Sequence, residues 1–418
     1  MKVPKHVTIL GAGIVGLSTA RFLQRAGIRV TLIDRVEPGF GCSFGNLAMI
    51  CSLENALPIP SLQVLKSVPK MLFERDGSLV IRPQYLPKLL PWLFRFAHNS
   101  LPSRRFQHAS SLATLLQESV SAYVDLLGQS GVQTYLRENG SITVFETVAG
   151  FEANSKDRGL LRTLGARYEE LNRHELMELE PALAPIFPRA VYYQGCAQVV
   201  SPLGLCQELA NQIRESGGEI VKNEIHHAEV RADGHVCLFA HESEFECEAL
   251  VVAAGAWSGR LAKWFDISVP LETERGYHTT IASLDIGLKR PITHGETNIG
   301  MTQLNEGLRF GGTVELAGLD TPPDYIRGRN IHRMARRMIQ DLPPDDSQEI
   351  SDWMGFRPTL PDYLPVIGPS PNHPNLWFVF GHQHVGLSLA ACTGRLISSL
   401  ILDSKSKIDL APYRIDRF

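Results

Sequence analysis

The sequence predicts an α/β protein with two interleaved domains, and three observations carry that prediction. A short apolar run, a glycine-rich turn, a helical pattern and a second apolar run follow one another over residues 7–34. Helix and strand patterns return over 201–258 and 351–400, whereas residues 268–316 alternate like successive antiparallel strands. We therefore expect a Rossmann-like nucleotide-binding domain interleaved with a second domain on a mixed, largely antiparallel sheet with helices, which makes the chain α+β overall.

The glycine spacing in the first segment indicates what the first domain binds. In such a unit Gly11 permits the tight turn, Gly13 lets a pyrophosphate approach the backbone, and Gly16 lets helix and strand pack closely. Asp34 follows Gly16 by about 18 residues, close to the roughly 20-residue spacing of a carboxylate that binds an adenosine ribose. The alternative is a tight turn that binds nothing. Strand, glycines, helix, strand and acid all occur in order, which favours a bound dinucleotide.

Composition excludes some partners. The net charge of −3 provides no basic field for a nucleic acid. The seven cysteines are scattered without metal-ligand spacing, as reduced thiols in a cytoplasmic setting would be. The sequence contains no uncharged apolar run of about 18 residues, so we expect no transmembrane helix. We expect a cytoplasmic protein of two or more structural units.

Two segments after the first unit are candidates for contacts with ligands or partners. Gly39 to Ile50 follows Asp34 and Arg35 and is rich in small residues, which suits backbone beside a flat ligand. Residues 55–105 combine prolines, aromatic residues and interspersed lysines and arginines. Prolines forbid one long helix there, and short amphipathic pieces of this kind are typical of a membrane-surface or partner-facing patch. The alternative is a helical excursion that packs its apolar side on the domain.

The remaining elements follow in order. We expect a helix over about 107–127 closed by Gly128, a strand–turn–strand over 135–147 around Asn139 and Gly140, and further helix over 150–178. Ser201 is the expected N-cap of a helix that leads into two short strands. A buried strand then ends in a small-residue turn at 253–258, and a polar helix is expected over about 324–341. A strand, a turn and a long helix from Gly386 close the chain.

Several motifs together resemble a known family. GAGIVG at 11–16, AAGAWS at 253–258 and GGTVE at 311–315 precede FRP and LPVIG within 356–368, and FGHQHVGLSLA at 380–390 follows. In this order they resemble the FAD-dependent amino acid oxidoreductases of the D-amino acid oxidase superfamily. SFGNLAMI at 43–50 is similar to the bacterial D-amino acid dehydrogenases, and GHQHVGL to the D-proline and D-hydroxyproline dehydrogenase branch. Asn46-Leu47-Ala48 departs from the Asn-Ala-Gly of many dehydrogenases.

The resemblance implies noncovalent FAD and a division of the chain. It implies an FAD-binding domain from 1–82, 197–260 and 351–418, and a substrate-binding domain from 83–196 and 261–350. The cofactor contacts it implies, together with the motifs above, are those of Gly11, Gly13, Ile14, Val15, Gly16, Asp34, Arg35, Ser43, Asn46, Leu47, Ala48, Met49, Ala254, Gly255, Trp257, Gly381, His382, His384, Val385, Gly386 and Leu387.

Three residues are the expected catalytic set. A substrate carboxylate needs a permanently charged, bidentate partner, and the resemblance assigns that role to Arg357 in FRP. Tyr277 and His278 match positions that line the substrate pocket. Because neighbours on a strand point to opposite faces, only one of them can do so, and we favour Tyr277.

The pair His382 and His384 invites a metal interpretation, but no third ligand lies nearby in the sequence and we expect no metal. The helix that follows would instead direct its N-terminal amides at the flavin N1/C2=O end, where negative charge develops on reduction.

The resemblance implies oxidative deamination of D-amino acids, with D-proline or D-hydroxyproline as candidate substrates. A hydride would pass from Cα to flavin N5 in an oxidoreductase acting on CH–NH2 or CH–NH donors. A membrane quinone or a partner protein would take the electrons, with peripheral contact to the inner face of the membrane. Two alternatives stay open, namely a glycine- or sarcosine-type oxidase that uses oxygen and a non-catalytic FAD-binding subunit.

Overall fold

The computed structural model describes residues 3–59, 77, 79–404 and 406–418. In chain order the strands are β1 (His6–Leu10), β2 (Arg29–Asp34), β3 (Met49–Ile50), β4 (Leu79–Ile81), β5 (Leu136–Arg137), β6 (Ser141–Phe145), β7 (Tyr168–Asn172), β8 (Arg189–Tyr193), β9 (Ala197–Val199), β10 (Glu219–Lys222), β11 (His227–Val230), β12 (Val236–Phe239), β13 (Glu244–Cys247), β14 (Leu250–Val252), β15 (Glu272–Ala282), β16 (Ile292–His294), β17 (Gly300–Leu304), β18 (Gly307–Gly311), β19 (Val314–Leu316), β20 (Ile350–Thr359), β21 (Val366–Pro369) and β22 (Leu376–Phe380). The helices are α1 (Ile14–Arg25), α2 (Leu86–Asn99), α3 (Pro102–Leu116), α4 (Ser119–Tyr135), α5 (Val148–Ala153), α6 (Ser155–Thr163), α7 (Arg173–Leu179), α8 (Pro202–Glu215), α9 (Ser258–Ala262), α10 (Ile326–Ala335) and α11 (Gly386–Ile401). Over the described residues, no helix combines the length and apolar character needed to span a bilayer.

A six-stranded sheet forms the nucleotide-binding part of the molecule. Its order is β10-β2-β1-β14-β22-β21, with every neighbouring pair parallel except β21 and β22. The central strands are continuous apolar runs because helices cover a parallel sheet on both faces. The predicted α/β fold is confirmed here, since β1, α1 and β2 form the first parallel unit.

Helix α1 is held by close packing on α11. Leu17, Ala20 and Leu23 on its inner face are fully buried. A Cβ atom on Gly394 would lie 2.8 Å from the backbone carbon of Ser18, so the two helices meet backbone to backbone at that point. The last helix of the chain is thereby fixed against the first.

A ten-stranded mixed sheet forms the second part. Its order is β4-β19-β15-β18-β17-β16-β6-β8-β7, and β20 pairs with β15. β15 and β20 run antiparallel over ten residue pairs, from Glu272 opposite Thr359 to Ile281 opposite Ile350. This register decides which side chains of the two strands share a face. Two three-stranded sheets, β11-β12-β13 and β3-β9-β5, complete the architecture.

The loop after β2 joins the two parts by resting on one face of the large sheet. Arg309 on β18 donates to the carbonyls of Phe44 and Asn46, both at 2.9 Å. Thr302 on β17 donates to the carbonyl of Leu47 at 2.8 Å. These bonds mark one face of the large sheet, the one that bears Arg309 and Thr302 against residues 43–49, and we name it the flavin-side face because the resemblance implies a flavin beside this loop.

Some predicted elements differ in the structure. The expected hairpin around Asn139 and Gly140 is wrong, because β5 pairs with β9 whereas β6 pairs with β8 and β16. Gly128 closes its helix as predicted, because its φ of +67° and ψ of 178° are not helical, and a further helical segment within α4 runs from there to Tyr135. The predicted domain division places 79–81 and 351–359 with the nucleotide-binding part, yet β4 and β20 pair in the large sheet. Of the predicted excursion at 55–105, residues 60–76 and 78 lie outside the described residues.

Candidate active site

The turn between β1 and α1 has the geometry of a phosphate loop. Gly11 adopts φ +118°, and a Cβ on it would lie 2.4 Å from the carbonyl oxygen of Ala253. A Cβ on Gly16 would lie 2.0 Å from the carbonyl oxygen of Gly11. Gly13 precedes α1 in an extended conformation and provides no side-chain cap. The first-turn amides, which include those of Val15 and Gly16, therefore point toward the space where an anion would lie.

Two side chains frame this turn. The Asp34 carboxylate accepts from the amide of Ala12 at 2.7 Å and from that of Val36 at 3.1 Å. Ser43 accepts from the amide of Ile14 at 2.9 Å. A carboxylate has about four acceptor positions, so Asp34 keeps capacity for ribose hydroxyls.

The loop at 43–49 is fixed by its own polar groups. Asn46 donates to the carbonyl of Ser43 and accepts from the amide of Ala48, both at 2.7 Å. Ala48 is held at φ +59°, a left-handed conformation that is uncommon for residues other than glycine. Met49 begins β3, and its carbonyl accepts from Ser388 of α11. The departure from Asn-Ala-Gly is therefore accommodated with Ala48 in the strained position.

The small-residue turn at 253–258 brings a stacked pair to the same region. Gly255 adopts φ +54°, and the amide of Trp257 donates to the carbonyl of Ala254 at 3.1 Å. The guanidinium of Arg35 lies 4.1 Å from the centre of the Trp257 ring. Phe356, the residue before Arg357, packs edge-on against the same ring at 5.2 Å.

Arg357 lies on the flavin-side face of the large sheet. A Cβ on Gly276 would lie 2.2 Å from Nη2 of Arg357 and 2.6 Å from Nη1, so the guanidinium rests directly on the Gly276 backbone. Nη1 donates to the carbonyl of Thr313 at 3.1 Å. The side chain is half-buried, which leaves further N–H groups of its fork for another partner.

We expect Gly276→Ala to displace this guanidinium while the fold is kept. Gly276 has no left-handed φ, so an alanine fits the strand, and the far end of the Arg357 side chain has to yield. The KM for the carboxylate-bearing substrate should rise about tenfold or more, the value of one charge-assisted hydrogen bond. The measurement is steady-state kinetics with flavin content as the control, and an unchanged KM would contradict this position of Arg357.

Tyr277 and His278 lie on opposite faces of β15, and His278, not the Tyr277 that we favoured, shares the face of Arg357. Tyr277 is 1% exposed and donates to Glu315 at 2.6 Å on the face away from Arg357. His278 shares the face of Arg357, binds the carbonyl of Gly45 through Nδ1 at 2.9 Å and stacks on Trp353 at 4.9 Å. Burial and the charges of nearby arginines lower the pKa of His278 to about 3, so its ring is neutral at pH 7.

His382 and His384 also point in different directions. His382 is buried and its Nε2 lies 3.0 Å from the hydroxyl of Thr393 on α11, and burial lowers its pKa to about 3. His384 is an exposed residue, yet desolvation and the charge of Arg357 lower its pKa to about 4. His384 is thus exposed and close enough to Arg357 for that charge to act on its ring. We therefore expect His384, and not His382, to contact a ligand through its side chain.

The start of α11 closes this region. Gly381 adopts φ +82° where the chain leaves β22, and Val385 donates its amide to the carbonyl of His382 at 3.0 Å. That amide is therefore already used, and the first-turn amides of Gly386 and Leu387 are the ones that an anion could take. Tyr123 fixes the turn by donating to the carbonyl of Leu387 at 2.7 Å.

Sequence reasoning missed Glu274, which lies on the flavin-side face, and Tyr363, which reaches it from the turn after β20. Glu274 is 6% exposed, and the register places it opposite Arg357. Tyr363, which precedes LPVIG, donates to Glu274 at 2.5 Å. The signal for Glu274 was present but weak, since Glu274, Gly276 and His278 have the i, i+2, i+4 spacing of one strand face.

The described residues fit FAD. The backbone at Gly11, Gly13 and Gly16, bare of side chains, suits close approach by a pyrophosphate, and Asp34 suits a ribose. The loop at 43–49, the turn at 253–258 and the start of α11 surround the face that bears Arg357. These features fit a dinucleotide-binding protein in which Arg357, beside the expected cofactor site, is the candidate partner of a substrate carboxylate.

Comparison with known proteins agrees with this class. The chain belongs to the FAD dependent oxidoreductase family, whose profile matches residues 6–400. The family depends on FAD, so the predicted cofactor is confirmed.

Two relatives match nearly the whole chain. A D-amino-acid oxidase of Bradyrhizobium diazoefficiens is 34% identical over 418 residues, covering 99% of this chain and 99% of the relative. A D-amino acid dehydrogenase of Allorhizobium ampelinum is 29% identical over 421 residues, covering 99% and 98%.

Solved structures show the same fold. Glycine oxidase from Geobacillus kaustophilus superposes with a TM-score of 0.70 at 21% identity, covering 99% of this chain and 100% of that one. L-Proline dehydrogenase from P. horikoshii superposes with a TM-score of 0.73 at 15% identity, covering 100% and 98%.

Proposed function

We propose that this protein oxidises D-amino acids at the bond between Cα and nitrogen, giving an imino acid that hydrolyses to the oxo acid. The observation that carries the proposal is the position of Arg357, whose guanidinium rests on Gly276 on the flavin-side face of the large sheet. The two relatives, named as a D-amino-acid oxidase and a D-amino acid dehydrogenase, support the choice of D-amino acids. Bound FAD supplies the chemistry, as a hydride acceptor at its N5 atom.

The residues of the site divide the remaining work. Arg357 binds the substrate carboxylate through two N–H groups, a geometry that lysine cannot reproduce. His278 and His384 present neutral rings beside it, because their pKa values of about 3 and about 4 keep them uncharged at pH 7. The amides of Gly386 and Leu387 would donate to a bound flavin where it gains negative charge on reduction, and α11 would add the positive end of its dipole.

The test is anaerobic reduction of the purified yellow protein by a panel of amino acids. We expect D-enantiomers, with D-proline and D-hydroxyproline among the candidates, to bleach the flavin, and the matching L-enantiomers to leave it oxidised. Bleaching by glycine or sarcosine alone would favour the glycine- or sarcosine-type enzyme. A flavin that no amino acid bleaches would favour the non-catalytic FAD-binding subunit.

A quinone or a partner protein is the proposed electron acceptor. A second candidate keeps the same substrate but uses oxygen, and the relative named as an oxidase favours it. Stopped-flow reoxidation separates the two. Rapid reoxidation by a soluble quinone and slow reoxidation by air support the dehydrogenase, and the reverse order supports the oxidase.

A quinone in the membrane is supported as acceptor by an exposed apolar surface on α2 and the residues that follow it. Leu90 is 42% exposed, Phe94 72% and Leu101 39%, whereas Leu89 and Trp92 on the other side of α2 are buried. Residues 77–117 contain no aspartate or glutamate but five lysines and arginines, which are Arg82, Lys88, Arg95, Arg104 and Arg105. Arg82 and Arg105 pair with carboxylates of other elements, and an exposed apolar stripe beside Lys88, Arg95 and Arg104 suits an anionic membrane surface.

We expect Phe94→Asp to weaken binding to anionic vesicles about tenfold or more, because one buried aromatic side chain contributes about 1.5–3 kcal/mol. The measurement is cosedimentation with vesicles that contain an anionic phospholipid, compared with neutral vesicles. Val124→Asp is the matched control, since Val124 is 43% exposed on α4 and should leave binding unchanged. Equal binding of wild type and Phe94→Asp would rule out this surface.

A further inference from the structure

Glu274 is a buried carboxylate that the proposed hydride transfer does not yet use. It is 6% exposed and lies on β15 directly opposite Arg357 on β20. Opposite residues of an antiparallel pair project from the same face, so Glu274 lies on the flavin-side face with Arg357. Carboxylates are rarely buried unless they are paired or used.

The Arg357 guanidinium does not occupy the acceptor positions of the Glu274 carboxylate. The Arg357 fork lies over Gly276, two residues beyond Glu274 on β15, and donates to the carbonyl of Thr313. Glu274 takes its hydrogen bond from Tyr363 at 2.5 Å. One hydroxyl donor satisfies only part of a carboxylate, which keeps acceptor positions for a further donor.

Glu274, Gly276 and His278 therefore form a row along one face of β15. Glu274 lies on one side of the guanidinium above Gly276, and His278 lies on the other, with about 6.8 Å of strand between each and Gly276. Other groups that face Glu274 are Tyr363 from the turn after β20 and Glu272 on its own strand, whose carboxylate accepts from Tyr85. An anion and a cation side by side suit a zwitterion, with its carboxylate on the arginine and its ammonium on the glutamate.

We propose that Glu274 binds the ammonium group of the substrate and accepts its proton before Cα is oxidised. This deepens the proposed function and rests on it. In the transfer an N–H bond of R–NH3+ breaks and an O–H bond to the Glu274 carboxylate forms. The products are R–NH2 and a neutral carboxylic acid, and no oxidation state changes. The nitrogen lone pair that is released then assists loss of hydride from Cα.

The environment of Glu274 suits a proton acceptor. Burial raises the pKa of Glu274 above its usual value, opposed by the Tyr363 hydrogen bond and by the charge of Arg357. A carboxyl group with a raised pKa takes a proton from an ammonium group more readily than an exposed one does. His278 is a weaker candidate, because its pKa of about 3 and its bond to Gly45 hold it in one neutral tautomer.

The first test is the pH dependence of anaerobic flavin reduction in wild type, Glu274→Gln and Glu274→Asp. The rate of flavin reduction by wild type should fall at low pH as Glu274 becomes protonated, and this fall is the acid limb of the profile. In Glu274→Gln the rate at neutral pH should fall about a hundredfold or more, the usual contribution of a general base, and the limb should move to the pH at which the free amine loses its proton. Glu274→Asp should restore part of the rate with a limb near that of wild type.

Two neighbours serve as controls. Tyr363→Phe removes a hydrogen bond to the charged form, so the pKa of Glu274 should rise and the acid limb should move to higher pH without disappearing. Glu272→Gln removes the like charge of the next carboxylate on the strand, so it should shift the limb only slightly, toward lower pH, and keep the rate near that of wild type. If Glu274→Gln kept the limb of wild type, the proposal would be overturned.

A binding measurement gives a readout without turnover. α-Aminoisobutyrate carries an amine but no hydrogen on Cα, so it cannot be oxidised, and isobutyrate is its counterpart without the amine. By calorimetry on the oxidised holoenzyme, wild type should prefer the amine-bearing ligand about tenfold or more, and Glu274→Gln should lose that preference. An equal preference in both proteins would overturn the proposal. Failure of the proposed function would be seen separately, as a wild-type flavin that no amino acid bleaches.

Discussion

Arg357→Ala is expected to raise the KM for the amino acid about 30-fold to about 4,000-fold while FAD stays bound. Loss of one partner of a buried, hydrogen-bonded charge pair costs about 2–5 kcal/mol, and each 1.4 kcal/mol corresponds to about tenfold in affinity. Arg357→Lys should recover little of this, because an ammonium group cannot make two parallel bonds to a carboxylate. The measurement is steady-state kinetics with saturating acceptor, with the flavin spectrum recorded for each variant.

Arg329→Lys is the matched control for this prediction. Arg329 lies on α10 with 73% of its side chain exposed, and it pairs with Asp352 at 3.3 Å. Exposed ion pairs contribute about 0–1 kcal/mol, so its KM should stay near that of wild type. If Arg357→Ala had the KM of wild type, Arg357 would not be the carboxylate partner.

Gly16→Ala is expected to abolish FAD binding. Its Cβ would lie 2.0 Å from the carbonyl oxygen of Gly11, and the backbone of both residues is held in place by β1, β2 and α1. Relief requires a shift of α1 or of the phosphate loop, at a cost of about 3 kcal/mol or more in the free energy of unfolding. The purified variant should be colourless, and its thermal unfolding should occur at lower temperature than that of the wild-type protein stripped of FAD.

Gly159→Ala controls for the substitution itself. Gly159 lies in α6 without a left-handed φ, and among the described residues no neighbouring atom comes within 4 Å of the position that a Cβ would take. Alanine should therefore stabilise the helix by up to about 1 kcal/mol. That variant should bind FAD like wild type. A yellow Gly16→Ala protein of normal stability would contradict the close contact between α1 and β1.

The predictions that hold best depend on short segments of sequence. The β1–α1–β2 unit formed as expected because strand, glycines and helix are adjacent in the chain, and Asp34 returns to the same turn. Ser201 caps α8 by accepting from the amide of Gly204, as its position before Pro202 predicted. Local chemistry decides such features, so the sequence is sufficient for them.

The features that sequence reasoning missed depend on the pairing of distant strands. Tyr277 and His278 could not be told apart until the register of β15 with β20 placed Arg357 on the side of His278. Glu274 belongs to no local motif, and its partner Tyr363 lies 89 positions away. The Asn139-Gly140 turn signal did not give a hairpin, because β5 pairs with β9 in one sheet whereas β6 pairs with β8 in another.

The most direct test of the account is a crystal structure of the FAD complex with α-aminoisobutyrate. We predict that the ligand carboxylate accepts two bonds from Arg357 at about 2.7–2.9 Å, with its Cα facing the flavin N5 atom and its amine toward Glu274. A flavin ring remote from Arg357, or a ligand carboxylate held by another residue, would contradict the proposed chemistry.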